Sequence, residues 1–123
     1  MKALNLYNSN DDELLSEFAT AAKQMGSAVL DSDTQQANRM YHHMRAIDTV
    51  LRSRGKMARL KLVPLLNDQD RFVRYYTAGK LLGVVPEPAR AVIEWNAKNR
   101  FDAIAGDARG LLRAFDSGEY KPD

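Results

Sequence analysis

The stretch Leu62–Leu82, LVPLLNDQDRFVRYYTAGKLL, sets a proline inside an apolar run, then two nearby aspartates, a Val-Arg pair and a second apolar run. Each part has a local meaning. Pro64 lacks a backbone donor, so a helical ladder through it must bend or end. Residues 67–70 carry turn chemistry, and Asp68 or Asp70 can accept hydrogen bonds from the N–H groups that open the next helix. Val73, then Tyr76 or Thr77, then Leu81 recur at helical spacing and give the second arm an apolar face. The order reads as helix, capped turn, helix. Such a pair cannot bury its apolar face alone, so neighbouring pairs must stack on it.

Working upstream, residues 9–30 (SNDDELLSEFATAAKQMGSAVL) read as a first helix. Ser9, Asn10 or Asp11 can cap it, and Glu13 puts a carboxylate in its first turn, where the helix dipole favours one. Leu14, Phe18, Ala21 and Met25 make one stripe, and Gly26 weakens the end. Residues 31–55 hold a second helix, with Asp31–Asp33 as cap candidates and Gly55 as its stop. Its stripe is Met40, Met44, Ile47 and Leu51, while Arg45, Arg52 and Arg54 lie off that stripe or near the C-terminal end. Residues 56–66 (KMARLKLVPLL) read as a third, shorter helix interrupted by Pro64.

Downstream of the opening stretch, residues 86–99 begin with Pro86, which suits the first helical position. Ala89, Val92, Ile93 and Ala97 face inward; the pattern leaves Trp95 open. A last helix carries Ile104, Ala108, Leu111 and Phe115 and ends at Gly118. Gly106 and Gly110 fall on another face, and each costs about 1 kcal/mol relative to Ala inside a helix. Either that helix starts near Asp107, or something packs close to the glycines. Residues 119–123 read as a loose tail. The apolar runs KLVPLL and LLGVVP contain or end at prolines, which argues against a central strand. The expectation is a single all-α domain over residues 1–123, of about six helices in antiparallel pairs.

The order Leu62-x-Pro64-Leu65-Leu66-Asn67-Asp68-x-Asp70-x-x-Val73-Arg74, with Ala78 and Leu81, resembles a HEAT repeat over about 20 residues. That resemblance implies a short HEAT/armadillo-like α-α superhelix. It also implies that Pro64 bends the first arm and that Asp68 or Asp70 pairs with Arg74 in a ladder. Tyr75, Tyr76 and Thr77 are larger than the alanines usual there. More of the chain resembles a small bacterial HEAT-like family catalogued as a domain of unknown function. The carrying residues are Val73-Arg74, Tyr76, Ala78, Leu81-Leu82, Pro86 and Ala89, with the closing ARGLLRAFDSGEYKP. They cover about two thirds of the chain, mostly its C-terminal part, and imply no activity.

A chain of 123 residues with 45% hydrophobic and 28% charged residues and no cysteine can build a core without disulfides or thiolate-bound metal. The start has no signal-peptide core and no window has the apolar length of a membrane helix, so the default is a soluble cytoplasmic protein. Net charge is only +2, but residues 39–80 carry ten basic and three acidic side chains between acidic or near-neutral flanks. A basic middle is either a solvated face paired with the acidic first helix or a surface for an anionic partner.

Signs of chemistry are weak. His42 and His43 are adjacent and diverge by about 100° on a helix, a poor metal pair. The carboxylate pairs Asp11–Asp12, Asp31/Asp33 and Asp68/Asp70 sit at helix starts, where capping explains them. No phosphate loop, nucleophile elbow or dinucleotide fingerprint is present. The reading is therefore a non-enzymatic helical-repeat module without cofactor, for an unidentified protein partner or a second copy of the chain. Arg45, Arg52, Arg71 and Arg90 are its candidate surface residues. The alternative is nucleic-acid backbone binding through Arg39, Arg45, Arg52, Arg54, Lys56, Arg59 and Lys61, with Tyr41, Tyr75 and Tyr76 for stacking.

Overall fold

The computed structural model describes residues 5–122, which form six α-helices and two short 3₁₀ turns with no strand among them. The helices are α1 (Asp11–Leu30), α2 (Thr34–Ser53), α3 (Lys56–Leu60), α4 (Arg71–Leu81), α5 (Pro86–Asn99) and α6 (Ala103–Ser117). None is long and apolar enough to cross a membrane.

Polar side chains set the helix starts. Asn10 and Glu13 close a reciprocal capping box on α1, each bond 2.8 Å. Asp33 caps α2 through the Gln36 N–H, and Asp102 caps α6 through the Ala105 N–H. Asp70 accepts from both the Phe72 and Val73 N–H groups at the start of α4, while Asp68 accepts from the Asp70 N–H. Pro86 opens α5. Gly118, at φ +81°, ends α6 in the left-handed conformation that a side chain would oppose. Beyond it the Tyr120 N–H reaches back to the Ala114 carbonyl at 3.0 Å.

Short links fold α2 back along α1 and α6 back along α5, and these are the two most extensive pairings. Helix α4 packs on both α1 and α5, so it joins the two pairs. The core gathers Leu14 and Phe18 of α1, Met44, Ile47 and Leu51 of α2, Val73, Ala78 and Leu81 of α4, Ile93 of α5 and Ile104 of α6.

Four details differ from the sequence pattern. The third helix is split: α3 ends at Leu60, and a 3₁₀ turn runs from Val63 to Asn67 with Pro64 in its opening turn, where no backbone donor is needed. Gly26 does not weaken α1, which continues to Leu30; it is buried, and a Cβ there would stand 2.1 Å from Phe72 Cγ. The glycine is the contact point of α1 with α4. Helix α6 begins at Ala103 rather than near Asp107, and no neighbour presses on Gly106 or Gly110. Asn96 is fully buried on the inner face of α5, its amide donating to the Val92 carbonyl at 3.0 Å.

Candidate functional site

The four arginines expected at one surface are separated. Arg71 and Arg90 are each engaged by a carboxylate. Arg71 donates to both Asp102 carboxylate oxygens at 2.6 and 2.9 Å, and its Nε donates to Asn96 Oδ1 at 2.7 Å. It ties the start of α4 to the α5–α6 turn. The Arg71 bonds, foremost, hold the Asp102 carboxyl far below the usual carboxylate range, against the opposing effect of burial. Arg90 is bidentate to Asp116 at 2.5 and 2.8 Å and ties α5 to α6. Asp102 and Asp116 lie 31 and 26 residues away in sequence, so no local pattern announces either pair.

The HEAT-type turn is also built differently from what the resemblance implied. Arg74 does not meet the Asp68 or Asp70 carboxylate. Its Nη1 donates to the backbone carbonyls of Asp68 at 2.8 Å and Gln69 at 3.0 Å, and its guanidinium lies over the Trp95 ring. The carboxylates are occupied with capping, and Pro64 stands exposed in the 3₁₀ turn.

The basic middle divides in the same way. Arg54 and Lys61 converge on Asp11 at 2.8 and 3.0 Å, and Arg39 turns to Gln36. Arg59 is buried. It meets Asp48 through two bonds of 3.0 and 3.3 Å and donates to the Lys80 carbonyl at 2.9 Å. These side chains serve the fold, as a solvated or paired set would.

Arg45 and Arg52 lie together on the exposed face of α2, with Thr49 between them, at spacings of four and three residues. They border a cleft of about 570 Å³ between α2 and α4, closed on one side by α6 and by Tyr120 and Pro122. Arg45 and Thr49 also border a second hollow with Tyr7 and His42, and Arg52 and Arg59 border a third with Lys56 and Gly83. Three hollows thus meet at shared arginines and form one trough.

Helix α4 supplies Tyr75, Tyr76 and Lys80 to the central cleft. Tyr75 is buried and donates its hydroxyl to the Asp107 carboxylate of α6. Burial first, and that bond second, push its ionisation far above the usual tyrosine range. Tyr76 is raised by burial and then by the Asp107 charge. Both phenols therefore stay neutral, and Tyr75 acts as a donor. Lys80 lies over the Tyr41 ring, 5.3 Å from its centroid. Burial lowers its pKa; Asp48 opposes that, and Arg45, Arg59 and Arg52 add to it.

The sequence reading missed Lys80. Its only signal is the i,i+4 spacing from Tyr76, which puts both on one side of α4. The histidines do not line the central cleft: His42 borders the second hollow, its ring contacting Tyr41 edge-on, and His43 Nε2 is 3.0 Å from Glu17 Oε2. No group of three metal-ligating side chains occurs among the described residues.

Comparison with curated proteins gives no match. Among solved structures, the chain is similar to the crystal structure of the protein RPA1889 from Rhodopseudomonas palustris CGA009, at 28% sequence identity and a TM-score of 0.88. The similarity covers 98% of this chain and 100% of that one. Residues 12–116 match the family described as Domain of unknown function (DUF2019), and the chain belongs to that family.

Proposed function

We propose that the protein is a non-enzymatic interaction module of the cytoplasm, a short HEAT-like helical array that holds an acidic segment of a protein partner in the α2–α4 trough. The HEAT-like part is supported by the consecutive helix pairs α1–α2 and α5–α6 with α4 packed between them. The observation that carries the binding part is the placement of Arg45 and Lys80 along one concave face, while Arg71 and Arg90 are held by carboxylates. A concave cationic face concentrates and orients an anionic partner.

The second reading is a nucleic-acid backbone, which the Tyr41 and Tyr76 rings beside the cations favour, since phenols stack on bases. Asp48 and Asp107 inside the same cleft weigh against a polyphosphate strand, and Asp11 neutralises Arg54 and Lys61 at one end of the basic middle. The test is affinity capture of the tagged chain from lysate of its own source, with and without nuclease. A discrete acidic protein retained after nuclease is the expected result. Loss of all partners on nuclease treatment, with recovered nucleic acid, would replace the first reading by the second. Recovery of the chain alone, as a stable dimer, would make the partner a second copy.

A further inference from the structure

We propose that the outer face of α5 is a self-association surface, on which a second copy of the chain lays its own α5 antiparallel about a two-fold axis. Glu87, Ala91, Trp95 and Lys98 recur at spacings of four, four and three residues, and all four are exposed along one side of α5. Trp95 is 41% exposed, and Phe101, in the turn that follows, is 94% exposed. Two large aromatic side chains thus stand out of the fold at one end of this face. Beside Trp95 lies a hollow of about 380 Å³ bordered by Ala91, Val92, Leu66 and Arg74. The Glu87 and Lys98 side chains make no hydrogen bond or ion pair among the described residues, and the Arg100 guanidinium contacts the Trp95 ring.

The order of charge along this face selects the occupant. Glu87 lies in the first turn of α5, Lys98 in the last and Arg100 just beyond it. Those signs suit the helix dipole, but the dipole gives no reason for Trp95 and Phe101 to stand exposed beside them. A helix that runs from acid to base is complementary to an antiparallel copy of itself, which is what an isologous two-fold interface requires. Setting Ala91 of one copy opposite Trp95 of the other fixes the rest of the register. Glu87 then falls between the levels of Lys98 and Arg100 on the other copy, and Phe101 reaches the level of Val85. Each relation occurs twice. The small Ala91 side chain lets the two helices approach, and the hollow beside it receives the indole. Aromatic groups at the centre and charges at the rim are the usual anatomy of a protein interface. A nucleic-acid strand or an anionic lipid surface would meet Glu87 with the wrong sign, whereas a second copy meets it with Lys98 and Arg100. None of the residues in this pairing borders the trough, so it stands or falls independently of the partner reading above.

The experiment is sedimentation equilibrium of the full chain over about a hundredfold range of concentration, with fluorescence read on the same samples. Trp95 is the chain's sole tryptophan, so its emission reports this face directly. The expected result is a mass that rises from one chain to two, with Trp95 emission moving to shorter wavelength in step. Ala91→Arg and Phe101→Ser each weaken the association by at least about tenfold. Met57→Ser, at an apolar side chain 77% exposed on α3, leaves it unchanged. Glu87→Lys weakens it, and the triple variant Glu87→Lys/Lys98→Glu/Arg100→Glu, which reverses both signs together, restores it. Melting curves on each variant keep loss of association apart from loss of fold. A dimer that survives both Ala91→Arg and Phe101→Ser, or a triple variant as weak as Glu87→Lys, would overturn the pairing. A chain that stays monomeric throughout would overturn it too. A shift of Trp95 emission in that monomer on adding a single-stranded oligonucleotide, or vesicles of phosphatidylcholine and phosphatidylserine, would then assign the face to that partner instead.

Discussion

The two flanks of α4 use the same residue types for opposite ends. On the α5–α6 side, Arg71 and Arg90 each clamp one aspartate with two bonds, and charge is neutralised at both clamps. On the α2 side, Arg59 and Asp48 make one such clamp, and Arg45 and Lys80 gather around it. Counting charges along the chain cannot separate these cases, because all five cations look alike in sequence. Pairing separates them. A cation opposite a carboxylate holds the fold together, whereas cations facing one another across a cleft cost the fold something and point to an external anion.

The sharpest challenge to this comparison is the clamp inside the trough. Asp48→Ala leaves the Arg59 guanidinium buried and without its carboxylate, and should cost about 3–5 kcal/mol in urea unfolding. A loss under about 1 kcal/mol would show that the trough has no structural floor, and the division between clamp and site would fail.

Next in size is the opposite flank. Asp102→Asn removes one arm of the Arg71 clamp and should cost about 2–3 kcal/mol at neutral pH. Its pH dependence follows from the lowered Asp102 pKa. A carboxylate whose folded pKa lies below its unfolded value of about 4 contributes in full above that value and loses the contribution as pH falls through the folded one. The gap between wild type and variant should therefore be constant above about pH 5 and shrink in acid. A gap that grows in acid contradicts the assignment.

A third test sharpens the comparison by moving the α4 wall itself. Gly26→Ala forces the Phe72 ring to shift, since its Cγ lies 2.1 Å from the added carbon, and should cost about 1–3 kcal/mol despite Ala's better helix propensity. Phe72→Leu in the same chain should recover part of the loss, measurable as a coupling energy in a double-mutant cycle. Additive effects would mean that α1 and α4 do not meet there.

The smallest effect is the most telling in sign. A lysine whose pKa is lowered by folding is held protonated at a cost at neutral pH, so Lys80→Met should leave stability unchanged or raise it by up to about 1 kcal/mol. Destabilisation by more than that in thermal melts would make Lys80 a structural residue.

Much of the fold was legible because its signals are local. Proline at position 86 marks the start of α5, and aspartates before α2 and α4 mark helix starts through the same hydrogen bonds that the structure forms. The stripe Met44, Ile47 and Leu51 is a matter of period, and all three are buried. What was not legible depends on residues far apart in sequence. Gly26 looked like a weak helix end because Phe72, which needs its missing side chain, is on another helix. Arg71 looked like a surface cation because Asp102 is contributed by the turn before α6. Arg59 looked like part of a basic face because Asp48 reaches it from the preceding helix, across the link between α2 and α3. The candidate site was half visible. Arg45 and Arg52 stand at helical spacing on one helix, but Lys80 joins them only once α4 is laid against α2.

The central claim is that Arg45 and Lys80 of the trough bind a partner and the arginines clamped by carboxylates do not. The most direct measurement is quantitative capture from nuclease-treated lysate by three forms of the full chain: wild type, Arg45→Gln/Lys80→Gln, and Arg90→Gln. The expected result is one discrete acidic protein retained by wild type and by Arg90→Gln and lost from the double variant, with the melting temperature of the double variant unchanged. Equal retention by the double variant, or loss from Arg90→Gln alone, would contradict it.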